Sequence, residues 1–330
     1  MKVNRTITAV PGVEVGHAPA GQGLSGCTAL LFRKGAVAGV DVRGGAPGTR
    51  ETDLLNPINL VDKVHAIMLA GGSAYGLAAA HGAMRYLEEH RIGFNTGAGL
   101  VPIVPAAIIF DLNLGKAHAR PDAEMGFEAC RAASKREVAE GNVGAGSGAT
   151  VGKILGMAQA MKSGIGSAAR AIQGGVMVGA IAVVNSFGDV VDPVSGAIVA
   201  GVRSRKVGPL QLGTPGYFAD TMRVMRSTLG RTILRFASKS NTVLGVVATN
   251  ASMSKSAMTK VAQMAQDGIA RTIRPSHTLL DGDVMFAVAT GGPRMDVTLI
   301  GSFAAEVLAE AVLRAVRTAG NAAGLPGLAH

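Results

Sequence analysis

Several side chains that could carry out nucleophilic chemistry stand where apolar or glycine-rich runs begin or end. Thr242 opens the apolar run TVLGVVATN directly after a basic, polar stretch, and its hydroxyl is a weak nucleophile unless a base lies beside it. The other candidates have similar positions and are Tyr75, Lys153, Asn185, Asp281 and Asp283. Each alone is also typical of ordinary structure, such as a strand end, a surface amine or a turn.

The glycine-rich run GNVGAGSGATVGKILG does not fit a nucleotide site. A phosphate loop needs Gly, four residues and then Gly-Lys-Ser/Thr. Here Ser147 replaces the first glycine and Ile154 replaces the hydroxyl that binds Mg²⁺. A dinucleotide fingerprint in the same run lacks a clear preceding strand and an acidic residue about 20 positions on. The sequence therefore predicts no nucleotide cofactor.

Two other hydrolase chemistries are also disfavoured. No serine has the Gly-x-Ser-x-Gly context of a nucleophile elbow. The histidines form no HExxH motif or tight pair, so His65, His81 and His277 are expected to be structural or surface residues and not metal ligands. We expect neither a metal nor any other cofactor.

Taken together, the candidate residues lie in an ordered set of motifs that spans nearly the whole chain. The motifs are VPGVEVGH, DVRGGAPGTRETDLLNP, HAIMLAGGSAYGL, VPIVPAAIIFDL, GNVGAGSGATVGK, NTVLGVVATN and PSHTLLDGDVMFAVATG. In these motifs the chain resembles the self-processing family that includes the L-aminopeptidase/D-esterase enzymes, the β-peptidyl aminopeptidases and the nylon-oligomer hydrolases.

This resemblance implies a precursor that cuts its own backbone just before the nucleophile. Carried over, the cut lies between Asn241 and Thr242, and a single catalytic domain of residues 1–330 becomes an α chain of residues 1–241 and a β chain of residues 242–330. The implied fold is N-terminal-nucleophile-hydrolase-like, and the implied assembly is a homo-oligomer, a tetramer in relatives.

The chemistry of the groups gives each matched residue a role. The free α-amino group of Thr242 would serve as base for its own hydroxyl, which attacks an amide carbonyl and forms an acyl-enzyme. Asn185 is the expected oxyanion donor, with help from Tyr75. Asp281 and Asp283 would orient Thr242, and Lys153 would balance the two carboxylates.

The pair Asn241-Thr242, the triplet DGD and Lys153 are similar to the nylon-oligomer hydrolase branch, whereas the aminopeptidase branch generally has Gly-Ser and Ser-x-Glu. Peptides or linear oligoamides are therefore the expected substrates. One alternative is an aminopeptidase specific for D-amides, esters or β-peptides. Another is an acyltransferase of the ornithine acetyltransferase type, and a third is a binding protein without catalysis.

The sequence predicts that both strands and helices position these residues. Apolar runs predict strands covered on both faces, and three segments have helical spacing: 76–90, the stretch after Asn250, and 302–318. Strands come in clusters with helices between them, which favours an α+β, layered αββα sandwich. The predicted strands are 28–32, 36–40, 66–69, 176–184, 243–249, 284–289 and 297–300.

Composition and charge set the remaining limits. The net charge is +10, and many of the excess basic residues lie between residues 203 and 239. The segment 202–240 around them contains several Gly and Pro, so we expect it to be a connector.

Partners and location can also be predicted. No basic stripe is interleaved with aromatic residues, so no nucleic-acid partner is expected. Cys27 and Cys130 lack CxxC spacing, and no long apolar segment or secretion signal is evident. We therefore expect a cytoplasmic protein that has no membrane partner.

Overall fold

The apolar runs of the sequence form long strands, and helices cover them on two sides. The computed structural model describes residues 4–20, 24–207, 210–227, 230 and 241–329. The helices are α1 (Ala79–Glu89), α2 (Ala123–Arg131), α3 (Thr221–Arg226), α4 (Lys255–Thr272) and α5 (Val297–Arg317). Short 3-10 turns lie at Ile7–Ala9, Asp53–Leu55, Ser73–Ala78, Gly144–Gly146, Met157–Gln159 and Gln173–Gly175.

The strands differ widely in length, and the longer ones build the main ladder. In chain order they are β1 (Glu14–Pro19), β2 (Gly26–Val42), β3 (Thr49–Arg50), β4 (Lys63–Ala70), β5 (Phe94–Asn95), β6 (Leu100–Val101), β7 (Ala106–Ile108), β8 (Thr150–Val151), β9 (Met161–Lys162), β10 (Ile165–Ala171), β11 (Met177–Asn185), β12 (Asp189–Val191), β13 (Ile198–Ala200), β14 (Arg205–Val207), β15 (Leu210–Leu212), β16 (Thr242–Thr249), β17 (Ile273–Arg274) and β18 (Val284–Ala289).

The main ladder has the order β10-β11-β16-β18-β2-β4-β7-β3, and β1 also pairs with β2. Strand β2 has two halves with different partners. Its first half pairs with β1 and β4, and its second half pairs with β18 from Val37 onward. Pairing with β4 continues to Val37 after a register shift between Leu31 and Ala36. The long strand therefore joins two sheets, one built on β4 and β7 and the other on β10, β11, β16 and β18.

Side-chain alternation along the strands shows that the two sheets face each other. Leu244, Val246 and Ala248 of β16 share one buried cluster with Leu30, Ile67 and Leu69 of the other sheet. Alternate residues of β16, such as Val243 and Val247, instead pack with α4 and α5. The opposite face of the β4 sheet packs against α1 and α2 in a third cluster. The layers are therefore helix, sheet, sheet, helix, as predicted.

Most of the predicted elements are confirmed. Residues 28–32 and 36–40 belong to one strand instead of two, because the chain stays paired with β4 on both sides of the register shift. The predicted strand at 297–300 is wrong, since these residues form the first turn of α5. Asp296 caps that helix by accepting a hydrogen bond from the Leu299 N–H at 3.1 Å, and an N-terminal cap of this kind stabilises a helix start.

The predicted connector is more structured than its composition indicates. Residues 202–227 include β14, β15 and α3, and Val202 and Val224 pack in a small buried cluster with Ile154 and Phe187. The buried Asp189 holds this segment, because its carboxylate accepts hydrogen bonds from the N–H groups of Val202 at 2.8 Å and Thr221 at 2.6 Å. Residues 231–240, the last part of the predicted connector, lie outside the described residues.

Gly166 lies where β10 approaches α5 so closely that a larger side chain should destabilise the fold. A Cβ at this position would lie 2.2 Å from the Ala311 oxygen and 2.3 Å from the Ala315 nitrogen, both in the helix backbone. We expect Gly166→Ala to lower the free energy of unfolding by about 1–3 kcal/mol, because the helix must move away from the sheet. Urea unfolding would measure this. Gly99→Ala is the control, since a Cβ there meets nothing within 4 Å; equal losses in both variants would refute the packing argument.

Candidate active site

Thr242 is the first residue of β16, and its register partner Asn185 is the last residue of β11. Both side chains are buried. They lie on the strand faces that carry Leu244 and Val183, which belong to the cluster between the two sheets. Strand pairing therefore brings the predicted nucleophile and the predicted oxyanion donor together at one edge of the sandwich.

Parallel pairing of β16 with β18 brings the DGD segment to the same edge. Beyond the strands, Asn241 still pairs with Asp281, and the Gly282 N–H donates to the Asn241 carbonyl oxygen at 2.9 Å. The Thr242 hydroxyl donates to the same oxygen at 2.5 Å. A Cβ at residue 282 would lie 2.8 Å from Thr242 Oγ1 and 2.5 Å from the Ala46 oxygen, so the close approach requires glycine.

The two carboxylates have different partners. Asp283 Oδ1 accepts a hydrogen bond from the Val243 N–H at 2.7 Å, and its Oδ2 contacts the N–H and the Nδ1 of His277. Asp281 Oδ2 accepts from the N–H of Thr278 at 3.0 Å and from its hydroxyl at 2.6 Å. Burial, followed by the nearby charge of Asp283, raises the pKa of Asp281.

Lys153 contacts the end of the neighbouring strand β11. Its Nζ donates to the backbone oxygen of Asn185 at 3.0 Å and to Asn185 Oδ1 at 2.7 Å. Thr150 also donates to Asn185 Oδ1, while Asn185 Nδ2 donates to the Phe110 oxygen at 3.0 Å. Burial lowers the pKa of Lys153 to about 7, although the charge of Asp281 opposes this shift. The amine therefore titrates near neutral pH.

Tyr75 lies at the rim and not within this cluster. It belongs to the 3-10 turn after β4, its side chain is exposed, and Arg120 stacks 3.6 Å above its ring centre. Within the described ranges, no hydrogen bond joins Tyr75 to the other five predicted residues. The turn is nevertheless tied to the site region, because the Gly72 N–H donates to the buried Asp111 at 2.7 Å and Asp111 follows Phe110.

Sequence reasoning missed a second buried lysine behind the site. The Lys162 side chain is fully buried, and its Nζ donates to backbone oxygens of the glycine-rich run, including Ala149 at 2.8 Å. Burial lowers its pKa to about 7. The local sequence MAQAMKSG gives no signal of this burial. By contrast, Asp111 and His277 lie inside two of the motifs that carry the family resemblance, although the sequence alone predicted only a structural or surface role for His277.

Comparison with known proteins assigns the chain to a family. The profile of peptidase family S58 matches residues 5–329. The chain belongs to peptidase family S58. An uncharacterised aminopeptidase of Mycobacterium tuberculosis is 45% identical over 345 residues, which cover 97% of this chain and 96% of that protein. A 6-aminohexanoate-oligomer endohydrolase of Kocuria sp. is 31% identical over 323 residues, with coverage of 93% and 84%.

Solved structures confirm the predicted fold of this S58 chain. A β-aminopeptidase of Burkholderia sp. aligns with a TM-score of 0.69 at 22% identity, over 99% of this chain and 91% of that chain. The L-aminopeptidase D-Ala-esterase/amidase of Ochrobactrum anthropi aligns with a TM-score of 0.68 at 19% identity, over 96% and 86%, and has a variant of the N-terminal-nucleophile hydrolase fold.

Family membership confirms that the chain is a hydrolase of peptide or amide bonds, as the sequence predicted. Within the part of the chain that the structure describes, no group of three or more His, Cys, Asp and Glu side chains could hold a metal ion. None of the described helices combines the length and the apolar character needed to span a lipid bilayer.

Buried Lys162 makes the stability of the S58 chain depend on pH. Its folded pKa lies near 7 and its unfolded pKa near 10.5, so unfolding between these values takes up a proton and stability rises with pH. We expect Lys162→Met to reduce the slope of the unfolding free energy between about pH 7.5 and 8.5 by about 1 kcal/mol per pH unit. Urea unfolding at several pH values would measure the slope. Lys34→Met, at an exposed lysine, should leave it unchanged.

Proposed function

We propose that this chain is a self-processing N-terminal-threonine amide hydrolase. The proposed cut lies between Asn241 and Thr242 and divides the single catalytic domain 1–330 into an α chain of residues 1–241 and a β chain of residues 242–330. One observation carries the proposal: the Thr242 hydroxyl and the Gly282 N–H both contact the carbonyl oxygen of Asn241. The nucleophile and a backbone donor therefore meet at the bond to be cut.

In the first step, Thr242 Oγ1 would attack the carbonyl carbon of Asn241. Negative charge then develops on the carbonyl oxygen, where the Gly282 N–H already donates, and backbone donors of this kind stabilise such charge. The C–N bond breaks, the nitrogen of Thr242 takes up the proton that the hydroxyl gives up, and Asn241 is held as an ester on Oγ1. Water hydrolyses this ester, which leaves the Asn241 carboxylate and a free amino group on Thr242.

In the mature enzyme the new α-amino group would accept the proton of its own hydroxyl as Oγ1 attacks a substrate carbonyl. The substrate C–N bond then breaks, the leaving amine takes up that proton, and water later hydrolyses the acyl ester on Oγ1. An acyl group bound there takes the position that Asn241 held in the precursor, so the Gly282 N–H is a donor for both reactions. Asn185 is proposed as a second donor, and Lys153 fixes its amide through the contact with Oδ1. Tyr75, at the rim, is proposed to contact bound substrate instead of the scissile bond.

The carboxylates are proposed to fix the new chain terminus. Asp283 holds the N–H of Val243, the residue directly after the nucleophile, and is itself buried. Asp281, whose pKa is raised, retains a proton more readily than an exposed carboxyl and reduces the repulsion between the pair. No step in this scheme needs a cofactor.

Peptides or linear oligoamides are the proposed substrates. The Kocuria relative is named as an endohydrolase of 6-aminohexanoate oligomers, and the Mycobacterium relative as an aminopeptidase. The pair Asn241-Thr242 and the triplet DGD favour linear oligoamides, the substrates named for the Kocuria relative.

We also propose a homotetramer located in the cytoplasm. The location is supported by Cys27 and Cys130, which are buried free thiols.

Self-cleavage is tested by following freshly made chain on denaturing gels. The wild type should convert to two fragments near three quarters and one quarter of its length, with the smaller one beginning at Thr242 by mass analysis. Thr242→Ala should stay intact because it lacks the attacking hydroxyl, whereas Thr242→Ser should still cut. A Thr242→Ala chain that splits at the same bond would instead indicate a contaminating protease.

Substrate class is tested with two 6-aminohexanoate trimers that differ only in a blocked amino terminus. An endo-acting amidase should hydrolyse both within about threefold of the same rate, because a remote terminus contributes little to binding at the cut bond. Chromatography of the products measures each rate, and Thr242→Ala is the inactive control. Rapid loss of the unblocked trimer alone would identify an aminopeptidase and contradict the endo assignment.

A further inference from the structure

His277 has an unusual position next to the carboxylate pair. Its backbone φ is +55°, in the left-handed region that non-glycine residues rarely adopt and that Asn, Asp and His enter most readily. The side chain is only 16% exposed, and its Nδ1 lies 2.8 Å from Asp283 Oδ2. The backbone N–H of the same residue donates to the same oxygen at 3.1 Å. One residue therefore holds Asp283 Oδ2 with two contacts.

When Asp283 is ionised, its contact with the ring determines which ring nitrogen carries a proton. An ionised carboxylate only accepts hydrogen bonds, so the contact at 2.8 Å requires a proton on Nδ1. The other ring nitrogen, Nε2, is buried and has no hydrogen-bond partner among the described residues. The contact with Asp283 is therefore what orients the imidazole.

The other oxygen of this carboxylate, Asp283 Oδ1, contacts the backbone directly after the proposed nucleophile Thr242. Asp283 Oδ1 accepts the N–H of Val243 at 2.7 Å, so a line of hydrogen bonds runs from His277 through Asp283 to the backbone next to Thr242. A carboxylate that is held at only one oxygen can rotate about its side-chain torsion. With both oxygens held, Asp283 keeps one orientation, and the start of β16 is fixed with it.

We propose that His277 is a positioning residue of this site: it donates from Nδ1 to Asp283 and so fixes the backbone that presents the Thr242 hydroxyl. The role rests on the proposed function, because Thr242 must be the nucleophile. Among the described residues, the hydrogen bonds of His277 go to Asp283 and not to the carbonyl oxygen of Asn241 or the hydroxyl of Thr242. His277 therefore acts through Asp283.

Two substitutions separate the hydrogen bond from the backbone conformation. His277→Asn keeps an N–H donor near the position of Nδ1, and Asn tolerates left-handed backbone; His277→Gly tolerates the backbone but removes the donor. Arg91→Gly is the control for the backbone change, because Arg91 is a non-glycine residue with a similar φ of +56° that lies exposed in the turn after α1. Each precursor is made by cell-free translation, and the rate of self-cleavage is followed over time on denaturing gels.

We expect His277→Gly to cut about 10- to 100-fold more slowly than wild type, the loss typical of one hydrogen bond to a charged group. His277→Asn should stay within about threefold of wild type, and Arg91→Gly should match it. In the processed proteins, hydrolysis of the 6-aminohexanoate trimer should lose kcat in the glycine variant with KM nearly unchanged, since substrate binding does not involve His277.

A glycine variant that cuts as fast as wild type overturns the role of His277 and leaves the proposed function standing. An asparagine variant as slow as the glycine variant, with a native melting temperature, overturns it as well. If the glycine variant does not fold, His277→Asp replaces it, because Asp matches Asn in size and in backbone tolerance but its carboxylate has no donor. A wild-type chain that never cuts before Thr242 overturns the proposed function, and this role falls with it.

Discussion

The hydrogen bond from the Gly282 N–H to the Asn241 carbonyl oxygen is the contact on which the proposed chemistry depends. It continues the parallel register of β16 and β18, which begins at Leu244 and Val284, back to the bridge between Asn241 and Asp281. The carbonyl of the proposed scissile bond is therefore a member of the sheet ladder and has its orientation fixed by many other hydrogen bonds. A backbone held in this way needs little rearrangement when charge develops on its oxygen, which is the basis of electrostatic stabilisation in acyl transfer.

The second constraint is the burial of charge around that bond. Lys153, Lys162, Asp281 and Asp283 are all buried, and ionised groups in such surroundings are unfavourable unless they are paired or change protonation state. The lowered pKa values of the lysines and the raised pKa of Asp281 have this origin. The burial thus produces two amines that can exchange protons near neutral pH and a carboxyl whose pKa is raised, and perturbed groups of this kind are common in active sites.

Sequence patterns predicted the layers and most of the residues that the fold brings together at this edge, but they could not give the geometry. Apolar strands and helical spacing predicted the αββα order because each pattern reflects a locally buried face. The strand predicted at 297–300 is wrong because a short run of apolar and β-branched residues fits a buried helix as well as a buried strand. The helix forms here because Asp296 caps its first turn. Lys162 could not be predicted, since its burial depends on carbonyl groups of the glycine-rich run, which approach it only in the folded chain. The role of the Gly282 backbone likewise depends on strand register, which a motif does not encode.

The same topology explains why a chain cut before Thr242 would stay together. Strand β16 would belong to the β chain, yet it lies between β11 of the α chain and β18, and β18 in turn pairs with β2 of the α chain. Helices α4 and α5, which follow the cut, cover the strands of both fragments in one buried cluster. Separation would expose that cluster and break two strand pairings, so the large apolar area buried between the proposed fragments would hold them as one body. The proposed cut would therefore create a new terminus at Thr242 while the sheet that positions it stayed intact.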